Sequence, residues 1–408
     1  KPAYIDYEKM YNSRYRVLRK AFARFDEKSA KKYDRFEKNN AVWLDDYALY
    51  MACKAHFDQK PWTEWDEDIR LRKKKALKSY REELAEEIRF WKFLQYYFLR
   101  QWKKLKKYAN KNGIEIIGDI PIYVAFDSAD TWANPELFQL DAKGYPVAVA
   151  GCPPDVFSAT GQLWGNPLYD WTYHKHTDFA WWMERIAHCY RLYDVVRIDH
   201  FRGFEAYYAI PYGDPTAEYG HWEKGPGYAL FARMKEVLGE RKVIAEDLGF
   251  LTKEVHELVR MTGYPGMKII EFAFSDYQDN DYLPHNYVKN CIVYTGTHDN
   301  ETLEGYIHNL SKKDMQFIKE YCDCNSEKKL SKALIRIALM SAADTAIIPI
   351  QDYLGLGNEA RINEPSTLGD NWKWRLVDGQ FTEETAKEMA ALAKISFRAP
   401  KKVKKKEK

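Results

Sequence analysis

Four carboxylates, Asp119, Asp199, Glu246 and Asp299, each fall at or just beyond the C-terminal end of a short apolar run. The runs are "GIEIIGDIPIYVA", "DVVRIDHFRG", "KVIAEDLG" and "CIVYTGTHDN". In the second, strand alternation puts Val195, Arg197 and Asp199 on one face and Val196 and Ile198 on the other. Charge inside a fold is costly unless it is paired or used. Arg197 shares a face with Asp199 and can hold it ionised. Glu246 stands beside Asp247, a like charge that favours a protonated carboxyl. His298 precedes Asp299 and can donate to it. Two carboxyls in unlike environments suit glycosidic-bond chemistry. One stays ionised and attacks the anomeric carbon; the other stays protonated and donates to the leaving oxygen. The aromatic residues Tyr123, Trp164, Tyr169 and Phe204 then read as platforms for sugar rings, although each alone reads as ordinary packing. Asp199-His200 and His298-Asp299 also raise the question of a metal. Adjacent strand residues point to opposite faces, so each pair could supply at most one inward ligand, and no metal is expected.

Elements must position these groups. The first 110 or so residues read as helical, most clearly in "EELAEEIRFWKFLQYYFLRQWKKLKKYANKNG". Ile88, Trp91, Gln95, Phe98, Trp102 and Leu105 are expected along one buried side, and Asn112-Gly113 ends the helix. From Phe126 to about Trp171 the sequence is rich in loop residues, and a long loop of that kind usually covers a site. Helices around Phe179–Leu192, Tyr228–Leu238, Thr252–Met261 and Lys328–Ala342 then alternate with apolar runs. That alternation predicts a parallel sheet under helices, with six legible strands. Neither GxGxxG nor GxxxxGK[ST] occurs, which disfavours a nucleotide-binding sheet and favours a (β/α) barrel, whose strand ends converge on one mouth.

The 408 residues carry 63 Lys plus Arg against 60 Asp plus Glu, and a net charge of +3 makes no electrostatic case for nucleic acid. Aromatic residues reach 15%, with 30 Tyr and 13 Trp, a surplus that suits cores, interfaces or sugar rings. The six cysteines are scattered without metal spacing, which fits a reduced, cytoplasmic protein. No run reaches the ~18 apolar residues of a membrane span.

Several longer blocks resemble the 4-α-glucanotransferases (amylomaltases, or disproportionating enzymes), retaining α-glucan enzymes related to the α-amylases. They include "GDIPIYVAFDSADTWANPELFQLD", "VAGCPPDVFSATGQLWGNPLYDW", "VVRIDHFRGFEAYYAIP", "PGMKIIEFAF", "YTGTHDNET" and "ARINEPSTLGDNWKWR", in this order. The resemblance implies Asp199 as nucleophile, Glu246 as acid/base and Asp299 as transition-state stabiliser. It implies Arg197 and His298 as their partners and Asp119 as a further subsite carboxylate. It places Trp164, Asn166 and Tyr169 in a loop over the sugar path, with Tyr123 beside them. Maltooligosaccharides and other α-glucans are the implied substrates, glucose an implied acceptor, and no cofactor is called for. Hydrolysis with water as acceptor, or glucan binding without turnover, are the readings that residue spacing leaves open.

The fold expected is α/β, a (β/α)8 TIM-type barrel with helical and loop-rich insertions. Residues 1–408 form one catalytic domain, with 1–110 a helical insertion and packing helix, 126–175 an insertion over the site, and 400–408 a charged tail. The family's first two barrel strands have no match here. They are expected to precede Lys1, leaving apolar strand edges unpaired, so that these residues alone are expected to be insoluble or inactive.

Overall fold

The computed structural model describes residues 3–25, 31–154, 158–249, 251–275 and 279–400. Of the charged tail expected at 400–408, residues 401–408 lie outside the described residues. The chain divides into two compact units, residues 12–264 and residues 1–11 with 265–408.

The strands run in chain order as β1 (Ile117–Ile120), β2 (Ala148–Cys152), β3 (Gln162–Pro167), β4 (Val195–Ile198), β5 (Ala206–Pro211), β6 (His221–Lys224), β7 (Val243–Ala245), β8 (Gly266–Ile269), β9 (Cys291–Tyr294) and β10 (Thr345–Ile347). In the larger unit, β1, β4 and β7 form a parallel sheet in that order. Its helices Ala180–Leu192 and Tyr228–Leu238 are the crossovers that parallel pairing needs, and the helix Lys253–Thr262 follows β7. Their apolar stripes bury Trp182, Ile186, Leu230, Phe231 and Leu258 in one cluster with Val196, Ile198, Val243 and Ala245 of the sheet. Phe179 stands outside its helix because its backbone is left-handed (φ 56°). Gly263, with φ 70°, closes the Lys253–Thr262 helix as a left-handed cap should.

The smaller unit holds a second parallel sheet, β10-β9-β8. Its core joins Cys291 and Val293 to Leu330, Leu334 and Ala338 of the helix Leu330–Met340. The six parallel strands anticipated from the sequence are therefore present, three in each unit. Among the described residues their ladders form two sheets of three, so the pairing itself does not draw a closed barrel.

Two expectations need correction. The segment 126–175 is not loop alone. It holds the helices Ala129–Ala133 and Trp171–His176 and the strands β2 and β3, which join β5 and β6 in an antiparallel sheet of order β3-β2-β5-β6. On the helix Ala85–Lys111 the buried residues are Phe90, Trp91, Phe93 and Tyr96, whereas Phe98 and Leu105 are about half exposed, at 52% and 53%. The first half of this helix is clasped by aromatic residues of its neighbours, Phe22 at 5.5 Å from Phe90 and Phe25 at 5.1 Å from Phe93. The second half is anchored through the Trp102 indole, which donates to Leu192 O at 2.8 Å, and leaves its other faces open.

One glycine in β1 is required by close approach. A Cβ at Gly118 would fall 2.0 Å from the Tyr193 ring. Gly118→Ala must push the strand or the ring aside, and overpacking of this kind costs about 1–3 kcal/mol. A lowered thermal midpoint, with activity reduced through the adjacent Asp119, is the expected result.

Candidate active site

β1, β4 and β7 carry their acidic groups at one end of the larger unit's sheet. Parallel register sets Asp119 opposite Arg197, and Arg197 opposite Ile244. Arg197 is 6% exposed, and its Nη1 lies 2.7 Å from both oxygens of Asp119 and 2.9 Å from Asp199 Oδ1. Burial works against its charge, but Asp119 and Asp199 outweigh it and raise its pKa above the usual value. A guanidinium shared by two carboxylates explains how a strand bound for the interior tolerates the charges of "VVRID".

Past β4 the chain turns sharply. Asp199 N–H still donates to Ile120 O (2.9 Å), after which His200 is left-handed (φ 49°). That turn aims the His200 N–H at Glu246 Oε2 (2.7 Å), while Leu248 N–H donates to Oε1 (2.8 Å). The Glu246 backbone continues the ladder, donating to Ile198 O and accepting from Phe201 N–H. Burial first, and the Asp199 charge second, push the Glu246 carboxyl up from 4.5 to about 7, against the pull of Arg197 and the two N–H groups. The like charge that matters is thus Asp199, not the neighbouring Asp247 that the sequence pointed to.

Aromatic residues flank these carboxyls. Trp164, partly exposed on β3, meets the His200 ring edge-on at 4.8 Å and lies 6.4 Å from Tyr123. Asn166 ties this strand down by donating to Val124 O (2.8 Å). Tyr123, read from the sequence as a platform, is itself buried (5% exposed) and stacks on Tyr169 at 5.9 Å. Tyr169 has no exposed surface; its hydroxyl donates to Ile122 O (2.8 Å) and accepts from Arg185. It supports Tyr123 from behind rather than facing a ligand. Phe204 is likewise wholly buried, against Trp182 and Phe231. The roles of the His200 N–H and of Arg185 were not anticipated. A backbone N–H has no signature in sequence, and an arginine inside a helix reads as surface.

Asp299 and His298 lie in the smaller unit, on the loop after β9. His298 Nε2 is 3.3 Å from Asp299 Oδ2. Asn363 Nδ2 donates to Asp299 Oδ1 (2.6 Å), and Arg361 donates to the Asp299 carbonyl (2.8 Å). The His298 ring rests on Trp372 at 5.0 Å. Asn363, Arg361 and Trp372 all come from the block "ARINEPSTLGDNWKWR". Among the described residues no group of three or more His, Cys, Asp or Glu is arranged to hold a metal ion.

A sequence model described as 4-alpha-glucanotransferase matches residues 1–380. The chain belongs to the 4-alpha-glucanotransferase family. It is 50% identical over 393 residues to the 4-alpha-glucanotransferase of Clostridium butyricum, covering 96% of this chain and 81% of that one. It is 44% identical over 405 residues to the Thermus thermophilus enzyme, covering 97% and 81%. The fold superposes on the Streptococcus agalactiae amylomaltase, solved in complex with acarbose, at a TM-score of 0.95 and 40% identity, over 98% of this chain and 81% of that one. This 4-alpha-glucanotransferase is therefore an enzyme of glucan transfer, and its α/β fold is that of the amylomaltases. No helix among its described residues is long and apolar enough to cross a membrane.

Proposed function

We propose that this enzyme moves α-1,4-glucan segments between maltooligosaccharides by two displacements, with Asp199 as nucleophile and Glu246 as acid and base. Asp199 Oδ attacks the anomeric carbon and the glycosidic bond breaks. The Glu246 proton goes to the departing oxygen. Glu246 then takes the proton of an acceptor 4-hydroxyl, glucose among the acceptors, and that oxygen displaces Asp199. Two inversions return an α-1,4 bond.

The observation that carries this reading is the pairing of unlike carboxyls: one ion-paired to Arg197 at 2.9 Å, the other raised to about 7. Asp119 keeps Arg197 in place through the same Nη1, and Trp164 and Asn166 line the sugar path with the buried Tyr123 and Tyr169 behind them. The resemblance assigns transition-state stabilisation to Asp299, with His298 as its partner. The acarbose complex of the S. agalactiae amylomaltase supports an α-glucan ligand. For the fold, the finer reading is a (β/α)8 barrel, supported by six parallel strands with crossover helices. Six unbridged cysteines support a reducing, cytoplasmic setting.

Incubation with maltotriose tests the assignment. Glucose together with a ladder of longer chains is expected. Glucose and maltose alone would make the enzyme a hydrolase.

A further inference from the structure

A fifth acidic side chain stands at a strand end. Glu271 lies two residues beyond β8, and its N–H donates to Thr295 O just past β9 (3.3 Å). The side chain is 8% exposed and its Oε1 has no hydrogen-bond partner. It presses on the loop that carries Asp299: a Cβ on Gly296 would fall 2.5 Å from Oε1. From there the loop is tightly braced. Thr297 N–H and Oγ1 both bond Asn300 Oδ1 (2.9 and 2.7 Å), and Asp299 N–H donates to Thr297 Oγ1 (3.2 Å).

The surroundings of Glu271 are acidic. Glu301 is on the same loop, and Asp352 comes from the helix Ile350–Tyr353, with Glu304 acting on Asp352 in turn. The Tyr306 phenol faces it from the helix Leu303–Asn309. Asp352 already accepts from Thr295 Oγ1 (2.6 Å) and Leu303 N–H (2.9 Å). The nearby cation is Arg361, whose Nε and Nη2 are engaged by the Asn363 and Asp299 carbonyls.

We propose that Glu271 is a positioning residue for Asp299. As the neutral acid it packs against Gly296 and lets the 296–301 loop close on it. As a carboxylate it would bring a buried charge against Gly296, beside Asp352 and Glu301, that Arg361 and the Glu301 N–H offset only in part, and drive the loop away. Burial and then the Asp352 and Glu301 charges hold its pKa well above the usual carboxylate range, which favours the neutral form. The sign follows: the competent loop is present below the raised pKa and is lost as pH rises through it.

The inference rests on Asp299 acting in the reaction, and its test separates the two. Turnover of an α-maltosyl fluoride is followed against pH, because this donor needs no proton from Glu246 at departure. Wild type is expected to lose turnover on the alkaline side. Glu271→Gln, neutral at every pH, should abolish that alkaline fall, whereas Glu271→Ala, which leaves the loop unsupported, should lower kcat at all pH values. An infrared difference spectrum of wild type minus Glu271→Gln, taken on the acid side of that fall, should show one protonated-carboxyl band, whatever Asp299 does. Coincident pH profiles for wild type and Glu271→Gln, or no such band, would overturn the proposal. Asp299→Asn measured alongside reports on the underlying site: near-normal turnover there removes Asp299 from the reaction, while the infrared band still stands or falls with Glu271.

Discussion

Asp199→Asn should reduce transfer from maltotriose by roughly 10⁴-fold or more, the scale of losing a nucleophile, while leaving the sugar bound. Arg197 Nη1 makes two 2.7 Å contacts to Asp119 besides the one to Asp199. The guanidinium therefore stays paired when Asp199 loses its charge, and no buried cation is orphaned. Asn also keeps the size of Asp, so Trp164 and the buried Tyr123 should not shift. The loss should thus fall on kcat, with calorimetric titration still detecting maltotriose. Mass spectrometry of wild type with a slow glycosyl fluoride should trap a sugar on the peptide bearing Asp199, and the variant should show none. Near-normal turnover in Asp199→Asn would remove it from the reaction.

The strand ends that carry this chemistry were legible because a half-buried strand has period two, which places Arg197 and Asp199 on one face before any coordinates exist. The crossover helices were legible for the same kind of reason: each is long enough to show its apolar stripe. The antiparallel sheet was not. β2 and β3 are five and six residues long and contain Gly151, Gly165 and Pro167, which read as loop. The partner raising Glu246 was misplaced because sequence adjacency drew attention to Asp247, whereas sheet register brings Asp199 from the next strand. Glu271 escaped notice altogether. In "GMKIIEFAF" it looks like one polar residue inside a continuous strand, but β8 stops at Ile269 and the chain turns before reaching it. Where a strand stops depends on the loop packed over it, and here that loop bears Asp299.

Glu246→Gln should be nearly as damaging with maltotriose, by about 10²–10⁴-fold, the usual worth of a general acid. Its signature is the dependence on donor. Fluoride leaves without a proton, so the first turnover with α-maltosyl fluoride should be close to that of wild type. The second displacement still needs a base, so fluoride should appear as a burst matching the enzyme and then slow. Equal damage with both donors would mean that Glu246 is not the acid. The pH dependence has a definite sign. The folded carboxyl is raised from 4.5 to about 7, so the proton-donating form is present below about pH 7 and lost above it. Wild-type kcat/KM for maltotriose should fall on the alkaline side of pH 7, and with the fluoride the part of that fall due to Glu246 should vanish, leaving only the part due to Glu271. The same electrostatics lets one residue serve both halves of the cycle. After burial, the Asp199 charge is the main cause holding Glu246 protonated. Once Asp199 is esterified by the sugar that charge is gone, while Arg197 and the N–H groups of His200 and Leu248 remain. Glu246 must then become more acidic, which is the state required to take a proton from the incoming hydroxyl.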